Sequence, residues 1–213
     1  MARKNSETGP ARRGRPRAYD SQAALKRATE TFWRTGYSGT SLDSIAAATG
    51  MSPPSLYAAF GNKRALYLDA LARYWEISLA ATREALAQDR PLAESLMLAY
   101  DAALSIYFSG KGAARGCFVV GTAVTEAVED AAIRNSIAEG LRLTDADFEA
   151  RFRKAVERGE LQRDADPAAL AVVASATMHT IAIRARAGAS RAELREVARK
   201  AVSVICGCRV EAG

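Results

Sequence analysis

Residues 40 to 63, Thr-Ser-Leu-Asp-Ser-Ile-Ala-Ala-Ala-Thr-Gly-Met-Ser-Pro-Pro-Ser-Leu-Tyr-Ala-Ala-Phe-Gly-Asn-Lys, are compatible with little other than two short helices joined by a tight glycine turn. Thr40 or Ser41 is placed to cap the first helix, and Leu42, Ile45 and Ala46 fall on one apolar stripe at helical spacing. Gly50 can take the left-handed backbone conformation that ends such a helix. Ser52 followed by Pro53 is a side-chain cap with proline at the first helical position, so a second helix starts at once. Pro54 is tolerated there too, because first-turn N–H groups have no intrahelical acceptor to lose. Leu56 and Phe60 face inward, Ser55, Tyr57 and Ala58 face outward, and Gly61 ends the helix after barely two turns. So short a helix is stable only when packed on its neighbours.

The charge distribution indicates what this stretch meets. The chain carries +6 overall, yet residues 1 to 75 hold 12 Lys or Arg against 5 Asp or Glu, and the remainder 18 against 19. Neutralisation of phosphates by Lys and Arg supplies most sequence-independent affinity for DNA, which makes the N-terminal part the expected DNA end. Residues 1 to 17 combine Arg3, Lys4, Arg12, Arg13, Arg15 and Arg17 with Gly and Pro and show no apolar pattern. They read as a flexible basic arm for the adjacent minor groove, with a solubilising tail as the alternative. The helix-turn-helix, 41 to 60, lies in a head of residues 18 to 64. Its expected DNA-binding residues are Arg15, Arg17, Thr40, Ser41, Ser52, Pro53, Ser55, Tyr57 and Lys63.

Elsewhere the signals are helical almost throughout, so the expected fold class is all-α. Asp20 caps a helix that carries Leu25, Ala28 and Phe32 and ends at Gly36. Asn62 caps a long one from Lys63 to about Ala87, with Leu68, Leu71, Trp75 and Leu79 on its inner face. Pro91 opens a helix to about Phe108, Lys111 to Arg115 form a loop, and an apolar stretch runs from Cys117 to Val128. Asp130 to Arg158 continues helically with an expected break near Gly140. Asp166 and Pro167 start the most apolar helix, ended by Gly188, and Ser190 with Glu193 forms a capping box for the last, through about Ile205. The helices at about 167 to 187 and 190 to 206 are expected to pair with their copies as a four-helix dimer interface, since two-fold dimers are the commonest oligomers. Burial within one chain is the alternative. Residues 65 to 213 make up the body.

Length and a 49% hydrophobic composition allow a real core. The apolar run Ala168 to Ile183 falls short of the roughly 20 residues that span a bilayer, and no apolar segment follows the basic N-terminus, so no membrane or secretion signal is read. Three cysteines make no disulfide framework, and cytoplasmic residence is expected. Phosphate-cradling glycine motifs and nucleophile elbows are missing, and a single His completes neither a catalytic triad nor a metal site. No enzymatic activity, cofactor or metal is therefore expected.

A group of motifs then resembles the TetR family of one-component transcriptional repressors: Gly14-Arg15-Pro16-Arg17, Phe32-Trp33 with Gly36-Tyr37, Thr40-Ser41-Leu42, Ile45-Ala46, Gly50-Met51-Ser52, Ser55-Leu56-Tyr57 and Phe60-Gly61-Asn62-Lys63. The resemblance covers the head closely and the body in outline. It implies that the first three helices bind DNA, that the helical body holds a small-molecule pocket and that the last two helices dimerise. It implies further that Tyr57 and Lys63 touch phosphates and that residues near Ser52 to Ala58 approach base edges. Pro53-Pro54 departs from the usual pattern and removes two backbone donors.

The expected partners are thus double-stranded DNA with a palindromic operator, a second copy of the chain and a small-molecule effector. Candidate pocket residues are Met97, Tyr100, Tyr107, Phe108, Cys117, Phe118, Met178 and His179, apolar groups with a few polar ends. The alternative for each is plain core packing. Cys117 follows Arg115-Gly116 at an expected helix start, and both a cation and a helix N-terminus lower a thiol's pKa, so an oxidant or electrophile sensor of the same fold is a second reading. A nonspecific DNA-packaging protein without inducer is a third.

Overall fold

The computed structural model describes residues 20 to 110 and 112 to 207. The expectations for the basic arm, Arg15 and Arg17 included, and for Lys111 and Cys208 lie outside the described residues. Among the described residues the elements are α1 (Ser21–Thr35), α2 (Leu42–Thr49), α3 (Pro53–Phe60), α4 (Lys63–Ala87), α5 (Leu92–Tyr107), α6 (Phe118–Thr122), a 3₁₀ turn (Glu126–Val128), α7 (Ala131–Glu157), α8 (Pro167–Arg186) and α9 (Arg191–Ile205), with no strand.

Local chemistry accounts for most boundaries. Side chains of Asp20, Asn62, Asp130 and Asp166 accept hydrogen bonds from first-turn amides of α1, α4, α7 and α8, and Ser190 and Glu193 complete their capping box. Gly50 closes α2 at φ 71°, a left-handed conformation in which a side chain would be strained.

Gly140 does not break α7, which runs through it for 27 residues. A Cβ there would lie 2.2 Å from the indole of Trp75, so this glycine lets α7 approach α4 closely. The buried stripe of α4 also differs from the expected one. It runs Leu66, Tyr67, Ala70, Leu71 and Tyr74, while Leu68, Trp75 and Leu79 are half-buried.

Helix α4 packs against α1 and α3 of the head and against α5, α6 and α7 of the body. Between head and body lies an aromatic cluster of Phe32, Trp33, Tyr37, Tyr67, Tyr74 and Phe118, with ring centroids 4.9 to 6.2 Å apart. Tyr67 Oη lies 2.8 Å from Thr122 Oγ1, which satisfies both buried hydroxyls. At the surface Arg64 grips Asp130 with two hydrogen bonds, at 2.5 and 2.8 Å, and Ser38 donates to Glu126 at 2.8 Å. The head is therefore braced on the start of α7 and the turn before it.

Helix α8 spans 20 residues, close to the expected bounds, and by length and composition alone it would suffice to cross a membrane. It packs on α5, α6, α7 and α9. One face, Ala171, Ala174, Ser175, Met178 and Ala182, is buried. The opposite face, Val172, Val173, Ala176, Thr180 and Ile183, is exposed, as is Val204 on α9.

Candidate nucleic-acid interface

Helix α3 stands on a single buried anchor. Leu56 is 2% exposed, whereas Ser52, Pro53, Pro54, Ser55, Tyr57, Ala58 and Ala59 all face solvent. Phe60, half-buried, packs against the same core. Burying one leucine contributes roughly 1.5–3 kcal/mol, enough to hold so short a helix only because α2 and α4 flank it.

The first turn of α3 has few donors left. Pro53 and Pro54 bring no N–H, and the Ser55 amide donates to Ser52 Oγ at 3.4 Å. The two hydroxyls lie 2.9 Å apart. This helix therefore offers side chains rather than a backbone anion cradle. At the start of α4 the situation is reversed. Asn62 Oδ1 takes the Ala65 amide at 2.9 Å, and the amides of Lys63 and Arg64 precede any intrahelical acceptor. The Lys63 ammonium lies over the Tyr37 ring, 4.3 Å from its centroid, which fixes its stem beside those amides.

Ser41, not Thr40, caps α2, accepting from the Ser44 amide at 3.0 Å. Thr40 corrects the expectation. It is 2% exposed, its hydroxyl donates to the Gly36 carbonyl at 2.6 Å and meets Thr35 Oγ1 at 2.6 Å, so its side chain closes the turn rather than facing solvent. Ser41, Ser52, Pro53, Ser55 and Tyr57 are exposed, and Lys63 is half-buried.

The body contains a cavity of about 170 Å³ between α4, α6, α7 and α8. Tyr107, Cys117, Met178 and His179 line it as expected of pocket residues. Met97, Tyr100, Phe108 and Phe118 do not. Tyr100 is fully buried and donates to the Ala174 carbonyl at 3.0 Å, and Phe118 belongs to the aromatic cluster. Met97 and Phe108 pack against the core away from the cavity. The missing walls come from α4 (Tyr74, Trp75) and α7 (Ile137, Leu141, Thr144).

Cys117 also departs from the electrostatic expectation. The residue is 7% exposed, and its thiol accepts a hydrogen bond from Tyr74 Oη at 3.0 Å. Burial pushes its pKa up, outweighing the opposing hydrogen bond. The cation expected to lower it stacks elsewhere, with Arg115 Cζ 3.9 Å from the Trp33 ring centroid. Burial likewise holds the His179 imidazole below its ordinary pKa, so this wall is neutral at pH 7.

Residues 24–70 match the family model described as bacterial regulatory proteins, tetR family, and residues 94–201 match that of the tetracyclin repressor-like C-terminal domain. The HTH-type transcriptional repressor ComR of Escherichia coli is 31% identical over 198 residues, 93% of this chain and 94% of ComR. The chain belongs to the TetR family. Like other TetR-family proteins it is a DNA-binding transcriptional regulator. Another relative, the uncharacterized regulator YezE of Bacillus subtilis, is 28% identical over 74% of this chain and 81% of its own. Among solved structures, a cysteine mutant of the TetR-family regulator CifR, complexed with 26-bp double-strand operator DNA, matches with a TM-score of 0.80 at 32% identity. That match covers 89% of this chain and 98% of CifR. The first TetR match ends within α4 and the second begins within α5, with residues 71–93 between them.

Proposed function

We propose that this chain is a homodimeric, ligand-responsive repressor that binds a palindromic operator in double-stranded DNA and leaves it when a small molecule fills the body cavity. The observation that carries the reading is α3, anchored by Leu56 and the half-buried Phe60 with its polar positions outward. In this account α3 enters the major groove. Ser52 and Ser55 reach base edges, and Pro53 and Ala58 supply apolar contact of the kind thymine methyls accept. Ser41, Tyr57 and Lys63 hold flanking phosphates, the last together with the amides at the start of α4. Arg15 and Arg17 of the arm, residues 1 to 17, serve the adjacent minor groove.

The uncovered apolar stripe of α8 and Val204 of α9, 78% exposed, support pairing with a second copy. The division into a head of residues 18 to 64 and a body of 65 to 213, with dimer helices at about 167 to 187 and 190 to 206, follows from it. Dimerisation sets two reading helices about 34 Å apart, one turn of DNA. A ligand that binds better to a form with another spacing releases the operator, and a coupling of about 1–3 kcal/mol is sufficient. The protein works in the cytoplasm, where its DNA is, and needs no cofactor or enzymatic step.

The test is selection of bound fragments from the genomic DNA of the source organism, followed by gel shift against excess competitor. Recovery of one palindromic site supports the reading. Equal binding to all fragments leaves a nonspecific DNA-binding protein instead. A second reading, thiol sensing through Cys117, is favoured by the Tyr74 hydroxyl on its sulfur in the cavity wall. If an electrophile releases DNA equally from the Cys117→Ser protein, that reading fails.

A further inference from the structure

A second cavity, of about 620 Å³, opens where head meets body, between the C-terminal part of α1, the loop after α5 and the end of α8. Its walls carry three guanidinium groups, Arg34, Arg115 and Arg186, against one carboxylate, Glu30. Several arginines elsewhere on the surface are matched by carboxylates, while, among the described residues, Arg27, Arg73, Arg134 and Arg191 donate to neutral oxygens. Arg64, Arg83, Arg142, Arg195 and Arg199 each form an ion pair with a carboxylate. Among the described residues none of the three groove arginines does. Arg115 Nη2 donates to Ser109 Oγ at 2.7 Å and Arg186 Nη1 to the Arg115 carbonyl at 3.3 Å, both neutral acceptors.

Among the described residues, two wall residues also contribute buried donors that lack an acceptor, Arg115 Nε and Trp33 Nε1. Trp33 itself is 6% exposed. Buried polar groups are nearly always satisfied, and an orphaned donor marks a place where an acceptor belongs. The backbone is shaped to permit the cluster. A Cβ on Gly121 would stand 2.2 Å from Arg186 Nη1, and one on Gly116 would stand 2.4 Å from the Ala182 carbonyl. These two glycines clear the path by which Arg186 crosses from α8 to the loop.

We propose that this groove binds a small oxyanion ligand, a carboxylate or a phosphate, held by Arg34, Arg115 and Arg186. Guanidinium forks match both oxyanions bidentately, and the face of Trp33 is already covered by Arg115, which is thereby oriented toward the groove. Because Arg34 lies on α1 and the other two on the body, the bound anion bridges the two parts.

The test uses the full chain carrying Trp75→Phe, which leaves Trp33 as the sole tryptophan of the two in the sequence. Inorganic phosphate and malonate are titrated separately at constant ionic strength against a chloride control. The expected result is a saturable change in Trp33 emission with at least one of them. The Arg34→Gln/Arg186→Gln double variant, altered only at exposed positions, should bind about tenfold or more weakly. A response to phosphate alone assigns a phosphorylated ligand, and one to malonate alone a carboxylate. No saturable response to either up to about 10 mM, or equal binding by the double variant, overturns the site. Calorimetry on the chain with both tryptophans repeats the comparison if Trp75→Phe does not fold.

Discussion

The two halves of α4 serve sites of opposite shape. Its first half, through Leu66, Tyr67 and Leu71, packs against α1 and α3 of the head and leaves their working surface convex and wet. Its second half presents Tyr74 and Trp75 to a cavity that α6, α7 and α8 enclose but do not fill. In the head, buried hydroxyls find partners that close turns, as Thr40 and Tyr67 do. In the body, the corresponding polar atoms, Cys117 and Tyr74, meet at the cavity wall. A rigid convex reader and a concave site with room to spare are what a protein needs if occupancy of one is to shift the placing of the other.

The comparison can be broken most severely at Leu56. Leu56→Ala should cost about 2–5 kcal/mol of head stability and abolish operator binding. Urea unfolding should show the loss as an earlier transition, with the Trp75 signal of the body retained. Loss of both signals together would mean that head and body are one cooperative unit. Next comes the contact between α4 and α7. Gly140→Ala improves helix propensity by up to about 1 kcal/mol, yet it drives a methyl into the Trp75 ring, and overpacking costs about 1–3 kcal/mol. A lower melting temperature with altered Trp75 emission is expected, and a stabilised protein would refute the close-approach role.

Smaller effects sharpen the picture of the head. Ser52→Ala removes the cap of α3 and should cost about 1 kcal/mol, with a matching loss of DNA affinity in anisotropy titrations. Lys63→Ala should weaken binding to all sequences alike and shallow the salt dependence by about one unit; an unaltered slope would mean that Lys63 serves only its contact with Tyr37. The mildest is the brace between head and body. Hydrogen bonds from Arg64, then from the amides of Ile133 and Ala132, hold the Asp130 carboxyl at about 2, below its unfolded value near 4. Its contribution is complete above about pH 4 and is lost as pH falls through about 2. Acid titration of Arg64→Ala should show that step moved upward in pH.

The same contrast explains what the sequence revealed. A convex site made from neighbours on short helices is encoded locally: Ser41, Gly50, Ser52 and Gly61 mark its boundaries, and the outward positions follow from helical spacing. Thr40 escaped because two adjacent hydroxyl residues can both cap, and only the packing of the turn decides which one folds inward. The cavity draws Tyr74, Cys117, Leu141 and His179 from four separate elements, so no local period announces it. Aromatic character pointed equally to Tyr107, which borders the cavity, and to Tyr100 and Phe118, which do not, because it does not say whether a ring borders a void or fills one. Gly140 was read as a break for a related reason, since the ring that explains it lies 65 positions away in sequence.

Stoichiometry on a selected operator tests the central claim most directly. Light scattering and anisotropy on the full palindrome and on an isolated half-site should give two chains on the palindrome and far weaker binding to the half-site. One chain per duplex, with equal affinity for half-site, palindrome and scrambled DNA, would contradict the account.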